Sequence, residues 1–197
     1  MSHEEEDLGG GINSVVRIGA TVRRPMHPWS SAVHGLLQYL ESVGFAGAPR
    51  FLDVDEQGRE VLSLLPGVTP WPPGAELADV RVLDSVAGLL RQYHDTVEGW
   101  TPTTNTWQLP PVATGAAEVI CHNDVAPWNI LVHTKMTTAL VDWDTAAPGP
   151  RMWDLAYLAY WKTQWEQAEP WRHGAGFLRS LDFVEQSLDS WRTRPYT

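Results

Sequence analysis

The sequence predicts an α+β fold of two lobes, in which a small β-rich lobe precedes a mostly helical one. Short β-type runs and one helical pattern fill the first part of the chain, and a long amphipathic helical pattern opens the second. A proline-rich connector over 69–74 separates these parts. We therefore expect an N-terminal lobe over 1–68 and a C-terminal lobe over 69–197, with a cleft between them of the kind that binds ligands.

The N-terminal lobe is predicted from alternating apolar residues, turn residues and one helical repeat. We expect residues 1–8 to be a frayed tail. The patterns predict strands over 15–18, 21–24, 51–54 and 60–65, and a helix that closes at Gly44 and has Ser30 or Ser31 as its N-cap.

The C-terminal lobe is predicted to begin with a helix over 77–97, whose apolar residues recur at helical spacing. Short strands carrying polar ends should follow. The patterns predict strands over 118–121, 130–133 and 138–141, an interruption at 148–150, a helix over 152–165 and a last helix over 177–191.

Composition restricts the function classes. The 197 residues are 43% hydrophobic and 19% charged, with a formal net charge of −10. Such an acidic chain argues against nucleic-acid or anionic-membrane partners and is compatible with a cationic substrate. The polar, acidic start differs from a signal peptide, no apolar run has membrane-spanning length, and the single Cys121 precludes an internal disulfide. We expect a cytoplasmic protein.

The most informative pattern is H-x-D-x-x-x-x-N over 122–129, followed by an apolar strand that ends in D-x-D. These are residue types that phosphoryl transfer needs: Asp124 as the base for an acceptor hydroxyl, and Asn129 with Asp142 as Mg²⁺ ligands. Asp144 is a second ligand or a turn cap. His122 is placed with Asp124 in the catalytic set, orienting its loop by hydrogen bonds rather than acting as base. A lone Asp would be read as a turn residue, but the shared spacing favours function.

The N-terminal lobe should supply groups that contact phosphates. Gly10, Gly11 and Asn13 precede the first hairpin and either cover phosphates with backbone N–H groups or form a flexible terminus. On the next strand only one of Arg23 and Arg24 can face the cleft, and we favour Arg23. The alternative is a solvated pair at a sheet edge.

These motifs resemble the aminoglycoside phosphotransferase and choline-kinase-like family, which has a protein-kinase-like fold, and within it the bacterial phosphotransferases labelled trifolitoxin immunity proteins. The resemblance covers about residues 8–165 and includes a segment over 148–156 that leads into a helix. It implies ATP and Mg²⁺ as cofactors and transfer of the γ-phosphoryl group to a hydroxyl. It also implies that Asp154 anchors the catalytic loop and that a hinge over 63–67, including Leu65, holds adenine through its backbone.

The chain departs from this family's pattern in three places. Arginine stands where the family has a lysine on this strand. His34 stands near the position of the helical glutamate that pairs with that lysine, and Glu41 follows two turns later. The chain ends soon after Asp154, so we expect a truncated C-terminal lobe. Two functions follow. The first is a small-molecule O-phosphotransferase acting on an aminoglycoside or amino alcohol, with a role in antibiotic resistance. The second is a catalytically weak or inactive kinase-like immunity protein that sequesters a peptide or toxin.

Overall fold

A computed structural model of the chain describes residues 5–9, 14–69, 80–111, 117–134 and 136–167. It contains strands and helices in the mixed order that the sequence predicts. The strands are β1 (Glu6–Asp7), β2 (Val16–Ile18), β3 (Thr21–Pro25), β4 (Phe51–Val54), β5 (Arg59–Ser63), β6 (Val119–Cys121), β7 (Ile130–His133), β8 (Met136–Leu140) and β9 (Ala147–Gly149), and the helices are α1 (Ser30–Ser42), α2 (Val80–Val97) and α3 (Met152–Gln167).

The first five strands form one antiparallel sheet in the order β1-β2-β3-β5-β4. The pairing of β3 with β5 sets Arg24 directly opposite Glu60, so both side chains lie on the same face of the sheet. Strand β1 corrects the expectation of a frayed tail for the described part of residues 1–8, since residues 1–4 lie outside it: Glu6 pairs with Arg17, and their side chains form a 3.3 Å ion pair. A polar two-residue strand has no apolar alternation, so the sequence pattern could not reveal it.

Helix α1 packs its apolar residues against this lobe, with Leu36, Leu37 and Leu40 all at most 1% exposed. The predicted serine N-cap is wrong. Trp29 occupies the cap position without a side-chain cap hydrogen bond, while the Ser30 hydroxyl accepts from the His27 N–H at 2.9 Å. The serine therefore stabilises the turn before the helix rather than its first exposed N–H groups.

The second lobe carries two small antiparallel pairs. Strands β7 and β8 form the predicted hairpin, although β8 starts two residues earlier than expected because Met136 already pairs with His133. Two residues of the interruption predicted at 148–150, Pro148 and Gly149, instead belong to strand β9, which pairs with β6 through Cys121 and Ala147. Pro148 is atypical of a strand, but Pro is tolerated in a short strand with one partner.

The core of the second lobe is built on helix α2. Val82, Val86, Leu90 and Tyr93 follow one another at spacings of three or four and are completely buried. The Tyr93 hydroxyl donates to the carbonyl of Ile120 at 2.6 Å. This bond fixes α2 against β6, the strand that leads into the predicted catalytic loop.

The segment between the lobes is held at both ends. The N–H of Leu64 donates to the carbonyl of Ala20 at 3.0 Å, and Val68 exchanges two hydrogen bonds of 2.9 and 3.1 Å with Val132 on β7. Leu65, the predicted hinge residue, is half-buried between these anchors.

Several predicted features lie outside the described residues: the glycine-rich loop with Gly10, Gly11 and Asn13, the connector from 70 onward, and the last helix over 177–191. Among the described helices, none combines the length and the apolar character that crossing a membrane requires.

Candidate active site

The loop after β6 is held by the carboxylate of Asp154 at the start of α3. Asp154 accepts from the N–H of His122 at 2.9 Å and from the N–H of Asn123 at 2.7 Å, and His94 on α2 contacts it at 2.8 Å. Burial alone would raise the pKa of Asp154, but the hydrogen bond from His94 and its neighbours' charges lower it below the usual value. A buried ionised carboxylate thus replaces water for two loop N–H groups. One of them belongs to Asn123, whose φ of 67° is uncommon for a residue with a side chain.

His122 is completely buried and uses both ring nitrogens within the protein. Nδ1 accepts from the N–H of Asp124 at 3.3 Å, so Nε2 carries the proton and donates to the carbonyl of Val141 at 3.1 Å. Burial lowers its pKa, which keeps the imidazole neutral. These contacts orient the loop, as expected of His122 from the sequence, and they join the loop after β6 to the residue before Asp142.

Asp124 is half-buried and its carboxylate is bound at both oxygens. Oδ2 accepts from the side-chain amide of Asn129 at 2.8 Å, and Oδ1 accepts from the hydroxyl of Tyr157 on α3 at 2.9 Å. The same Asn129 amide nitrogen lies 3.0 Å from the carbonyl of Asp124. Because this nitrogen is occupied, the amide oxygen of Asn129 is the atom that remains for a cation.

The D-x-D segment lies against Asn129. The N–H of Val141 donates to the carbonyl of Asn129 at 2.9 Å, as the β7–β8 hairpin predicts. Asp142 then adopts a left-handed backbone with φ of 59°, and its side chain is 47% exposed. Asp144 is buried, and burial raises its pKa, with Asp142 and Glu60 acting in the same direction against the opposing charge of Arg24.

Arg24, and not Arg23, faces this segment, which corrects the preference for Arg23. Its guanidinium contacts Asp142 Oδ1 at 2.8 Å and also binds Asp144 and Glu60. Arg23 points elsewhere and lies 3.6 Å from Asp55. The alternation of side chains along β3 separates the two arginines, but sequence alone does not say which one faces the cleft.

Glu60 is a site residue that the sequence reasoning missed. It is 1% exposed, binds Arg24 with one oxygen and lies 2.6 Å from His34 Nε2 with the other. Burial raises the pKa of Glu60, but the contacts with His34 and Arg24 outweigh it and lower the pKa overall. A carboxylate on β5 therefore serves Arg24 where a helical glutamate was sought, and His34 links helix α1 to it. The sequence alone carried no signal for Glu60, because its position opposite Arg24 depends on the pairing of β3 with β5.

Cys121 is completely buried, as expected of a core residue, and burial raises the pKa of its thiol well above the usual range. A thiol that stays protonated is a poor nucleophile. The exposed His133 also fits its expected surface position.

The donors at this site fit a divalent cation and a polyphosphate. Two carboxylates and an amide oxygen are hard oxygen ligands of the kind Mg²⁺ prefers. Arg24 is already in contact with Asp142 and Asp144, so these two carboxylates surround a positive charge in the structure. The guanidinium of Arg24 is also a group that pairs with phosphate oxygens.

The chain is similar to known proteins in sequence and in fold. Residues 100–189 match the sequence profile of the Phosphotransferase enzyme family. The trifolitoxin immunity protein of Rhizobium leguminosarum bv. trifolii is 35% identical over 163 residues, which cover 79% of this chain. The chain spans 60% of that protein's length.

Solved structures show the same fold at low identity. An amicoumacin kinase, solved with AMP-PNP and Ca²⁺, superposes with a TM-score of 0.69 at 14% identity, covering 98% of this chain and 73% of that one. An aminoglycoside phosphotransferase from Streptomyces rimosus gives 0.61 at 14% identity, covering 98% and 87%. A choline/ethanolamine kinase family protein from Mesorhizobium loti gives 0.52 at 14% identity, covering 95% and 76%. The expected α+β, kinase-like fold is thereby confirmed, and residues 100–189 are similar to the phosphotransferase enzyme family.

Proposed function

We propose that the protein is an ATP- and Mg²⁺-dependent phosphotransferase that moves the γ-phosphoryl group of ATP to a hydroxyl of a small molecule. The observation that carries this proposal is a series of three contacts that connects four residues. Arg24 of the first lobe contacts Asp142, the strand before Asp142 is bonded to Asn129, and Asn129 holds Asp124. A cation, two metal-ligand candidates and a base candidate thus lie next to one another.

In this proposal each residue has one role. Asp124 accepts the proton of the acceptor hydroxyl, and Asn129 and Asp142 hold Mg²⁺, with Asp144 beside them. Bound Mg²⁺ neutralises charge on the phosphate oxygens. Arg24 pairs with phosphate, while Glu60, itself in contact with His34, keeps the Nε of Arg24 in place. His122 and Asp154 fix the backbone so that these groups are arranged before substrate arrives.

The glycine-rich loop with Gly10, Gly11 and Asn13 is proposed to cover the phosphates, and the backbone at Leu65 to bind adenine. The acceptor class is taken from the structural relatives and from charge. The relatives include kinases of aminoglycosides and of choline or ethanolamine, and this chain carries a formal net charge of −10. An aminoglycoside or amino alcohol is therefore the first acceptor to test, and inactivation of such an antibiotic would be the biological result.

The test is ADP formation from MgATP with a panel of streptomycin, hygromycin B, a macrolide, choline and ethanolamine. We expect one acceptor to raise the rate above that with water and Asp124→Asn to remove the increase while retaining nucleotide binding. Absence of MgATP binding by the wild-type chain would refute the proposal.

A second candidate function is a kinase-like immunity protein that sequesters a peptide or toxin without catalysis. Two observations favour it: Arg24 is bound by three carboxylates, and the 35% identical relative is named an immunity protein. The same panel separates the two functions. MgATP binding with no acceptor-stimulated turnover, and no effect of Asp124→Asn on protection of cells, would favour sequestration.

A further inference from the structure

Tyr157 on α3 contacts the proposed base directly. Its hydroxyl donates to Oδ1 of Asp124 at 2.9 Å, while Asn129 donates to Oδ2 at 2.8 Å. Burial raises the pKa of Tyr157, as does its hydrogen bond to Asp124, so the phenol keeps the proton that it donates. The carboxylate of the proposed base is thus held by two donors, Asn129, which is a proposed metal ligand, and Tyr157 on α3.

Two donors on different elements restrict rotation of the carboxylate. A side chain in a loop can turn about its last torsion, and a base that turns spends less time aimed at the hydroxyl it must deprotonate. Each carboxylate oxygen has two lone pairs, so Oδ1 retains acceptor capacity after it binds Tyr157. The contact therefore orients the carboxylate without blocking it.

Tyr157 is itself held in place from two directions. It lies one turn after Asp154 on the same face of α3, and Asp154 holds the N–H groups of His122 and Asn123. The ring of Tyr157 also packs edge-on against Trp161, with ring centroids 6.3 Å apart. Trp161 packs in the same way against Trp128, the residue before Asn129, with ring centroids 4.5 Å apart. Helix α3 thus supports the loop backbone through Asp154 and the base side chain through Tyr157.

We propose that Tyr157 is a positioning residue for phosphoryl transfer, which holds Asp124 in the orientation that accepts the acceptor's proton; this rests on the function proposed above. Tyr157 does not enter the reaction. Its loss slows the chemical step and leaves nucleotide binding intact, because its hydroxyl touches the base and none of the groups assigned to Mg²⁺ or phosphate.

The experiment compares Tyr157→Phe with Tyr160→Phe in the full chain. Tyr160 is a matched control, because it lies on the same helix, also contacts Trp161, at 5.5 Å, and is 54% exposed. MgATP binding is measured by calorimetry, and kcat and KM for MgATP are measured from ADP formation with the best acceptor of the panel. We expect Tyr157→Phe to lower kcat about tenfold or more, as for loss of a hydrogen bond to a charged group, with KM within about twofold. Tyr160→Phe should leave both unchanged.

A double-mutant comparison distinguishes positioning from a general structural effect. If Tyr157 acts through Asp124, adding Tyr157→Phe to Asp124→Asn should change the residual rate less than about twofold. Equal losses on both backgrounds, an unchanged kcat in Tyr157→Phe, or phosphate found on Tyr157 by mass spectrometry would each overturn the proposal. An active wild-type enzyme with an insensitive Tyr157→Phe would refute only this inference, whereas a wild-type chain that does not bind MgATP would refute the proposed function as well.

Discussion

Arg24 contacts three carboxylates that come from different parts of the chain, on β5 and after β8. Burial lowers the pKa of Arg24, but the charges of Glu60, Asp144 and Asp142 outweigh it and raise the pKa overall, so the guanidinium stays charged at any pH at which the protein is folded. It is therefore a permanent positive group beside the proposed metal ligands.

Replacing Arg24 tests this role. We expect Arg24→Gln to weaken MgATP binding about tenfold or more, since a charge-assisted contact to phosphate is lost. Arg23→Gln, one residue away and paired with Asp55 instead, should change the affinity less than about twofold. Calorimetric titration with MgATP measures both. Equal effects of the two substitutions would contradict the assignment.

His122 predicts a pH dependence of stability. Burial keeps its pKa in the folded protein below the ordinary value of 6.5. Below about pH 6.5 the unfolded chain takes up a proton that the folded protein does not, so the free energy of unfolding should fall as pH falls, by up to about 1.4 kcal/mol per pH unit.

Urea denaturation of the wild type and His122→Gln between pH 7 and 5 measures this effect. The slope against pH should be shallower in His122→Gln, whatever its absolute stability. His133→Gln is the control, because His133 is exposed on β7, and it should retain the wild-type slope. A wild-type slope in His122→Gln would show that other groups cause the dependence.

Among the elements of the fold, strand β5 supplies the carboxylate that binds Arg24 of β3, namely Glu60. The family resemblance would place this carboxylate on a helix instead. Glu60 is 1% exposed between Arg24 and His34. Breaking a buried ion pair on one side leaves a charge without compensation. We expect Glu60→Gln to lower the free energy of unfolding by about 3 kcal/mol and to weaken MgATP binding.

The matched control is Glu41→Gln on helix α1. Within the described part of the chain, the side chain of Glu41 forms an exposed 3.6 Å ion pair with Arg50, and its replacement should change stability by about 0.5 kcal/mol or less. Chemical denaturation and MgATP titration of the two variants decide the matter. A larger effect of Glu41→Gln would restore the helix as the source of the partner.

The features of the site that can be predicted from the sequence are the local ones. Asp124, Asn129 and Asp142 could be grouped because their spacing along the chain and one short hairpin bring them together. Glu60 and Tyr157 could not, because their contacts depend on strand register and on how α3 docks. The choice of Arg23 over Arg24 was wrong for a similar reason: alternation along a strand gives two faces but does not identify the inner one.

The same limit applies to weak elements. Strand β1 has two acidic residues and strand β9 contains proline, so neither has the composition typical of a strand. Each is formed by pairing with a partner, β2 or β6, whose own position depends on the rest of the fold. Helix α2, in contrast, was predictable because its apolar residues repeat over five turns.

For the whole molecule, the proposed function predicts stabilisation by ligand. A ligand present at about one hundred times its Kd stabilises the folded state by about 2.7 kcal/mol, so MgATP should raise the melting temperature of the wild-type chain. Asp142→Asn should reduce the shift because it removes a proposed metal ligand. Asp124→Asn should retain it, since the base is not needed for binding.

Differential scanning fluorimetry with ATP alone, Mg²⁺ alone and MgATP measures these shifts. ATP with EDTA is the control for binding that needs no metal. A shift that survives in Asp142→Asn, or one that is lost in Asp124→Asn, would contradict the roles assigned to these two carboxylates.

The anchored segment between the lobes has a mechanical consequence. Leu64 is bonded to the first lobe through Ala20, and Val68 is bonded to β7 through Val132. Only Leu65, Pro66 and Gly67 lie between these bonds, and Gly67 has a φ of 128° that other residues rarely adopt. Separating Arg24 from Asp142 by rotation about these three residues would also require breaking the 2.9 Å hydrogen bond from the Leu140 N–H to the Gly47 carbonyl. This bond and the Arg24 ion pairs therefore resist opening of the site together.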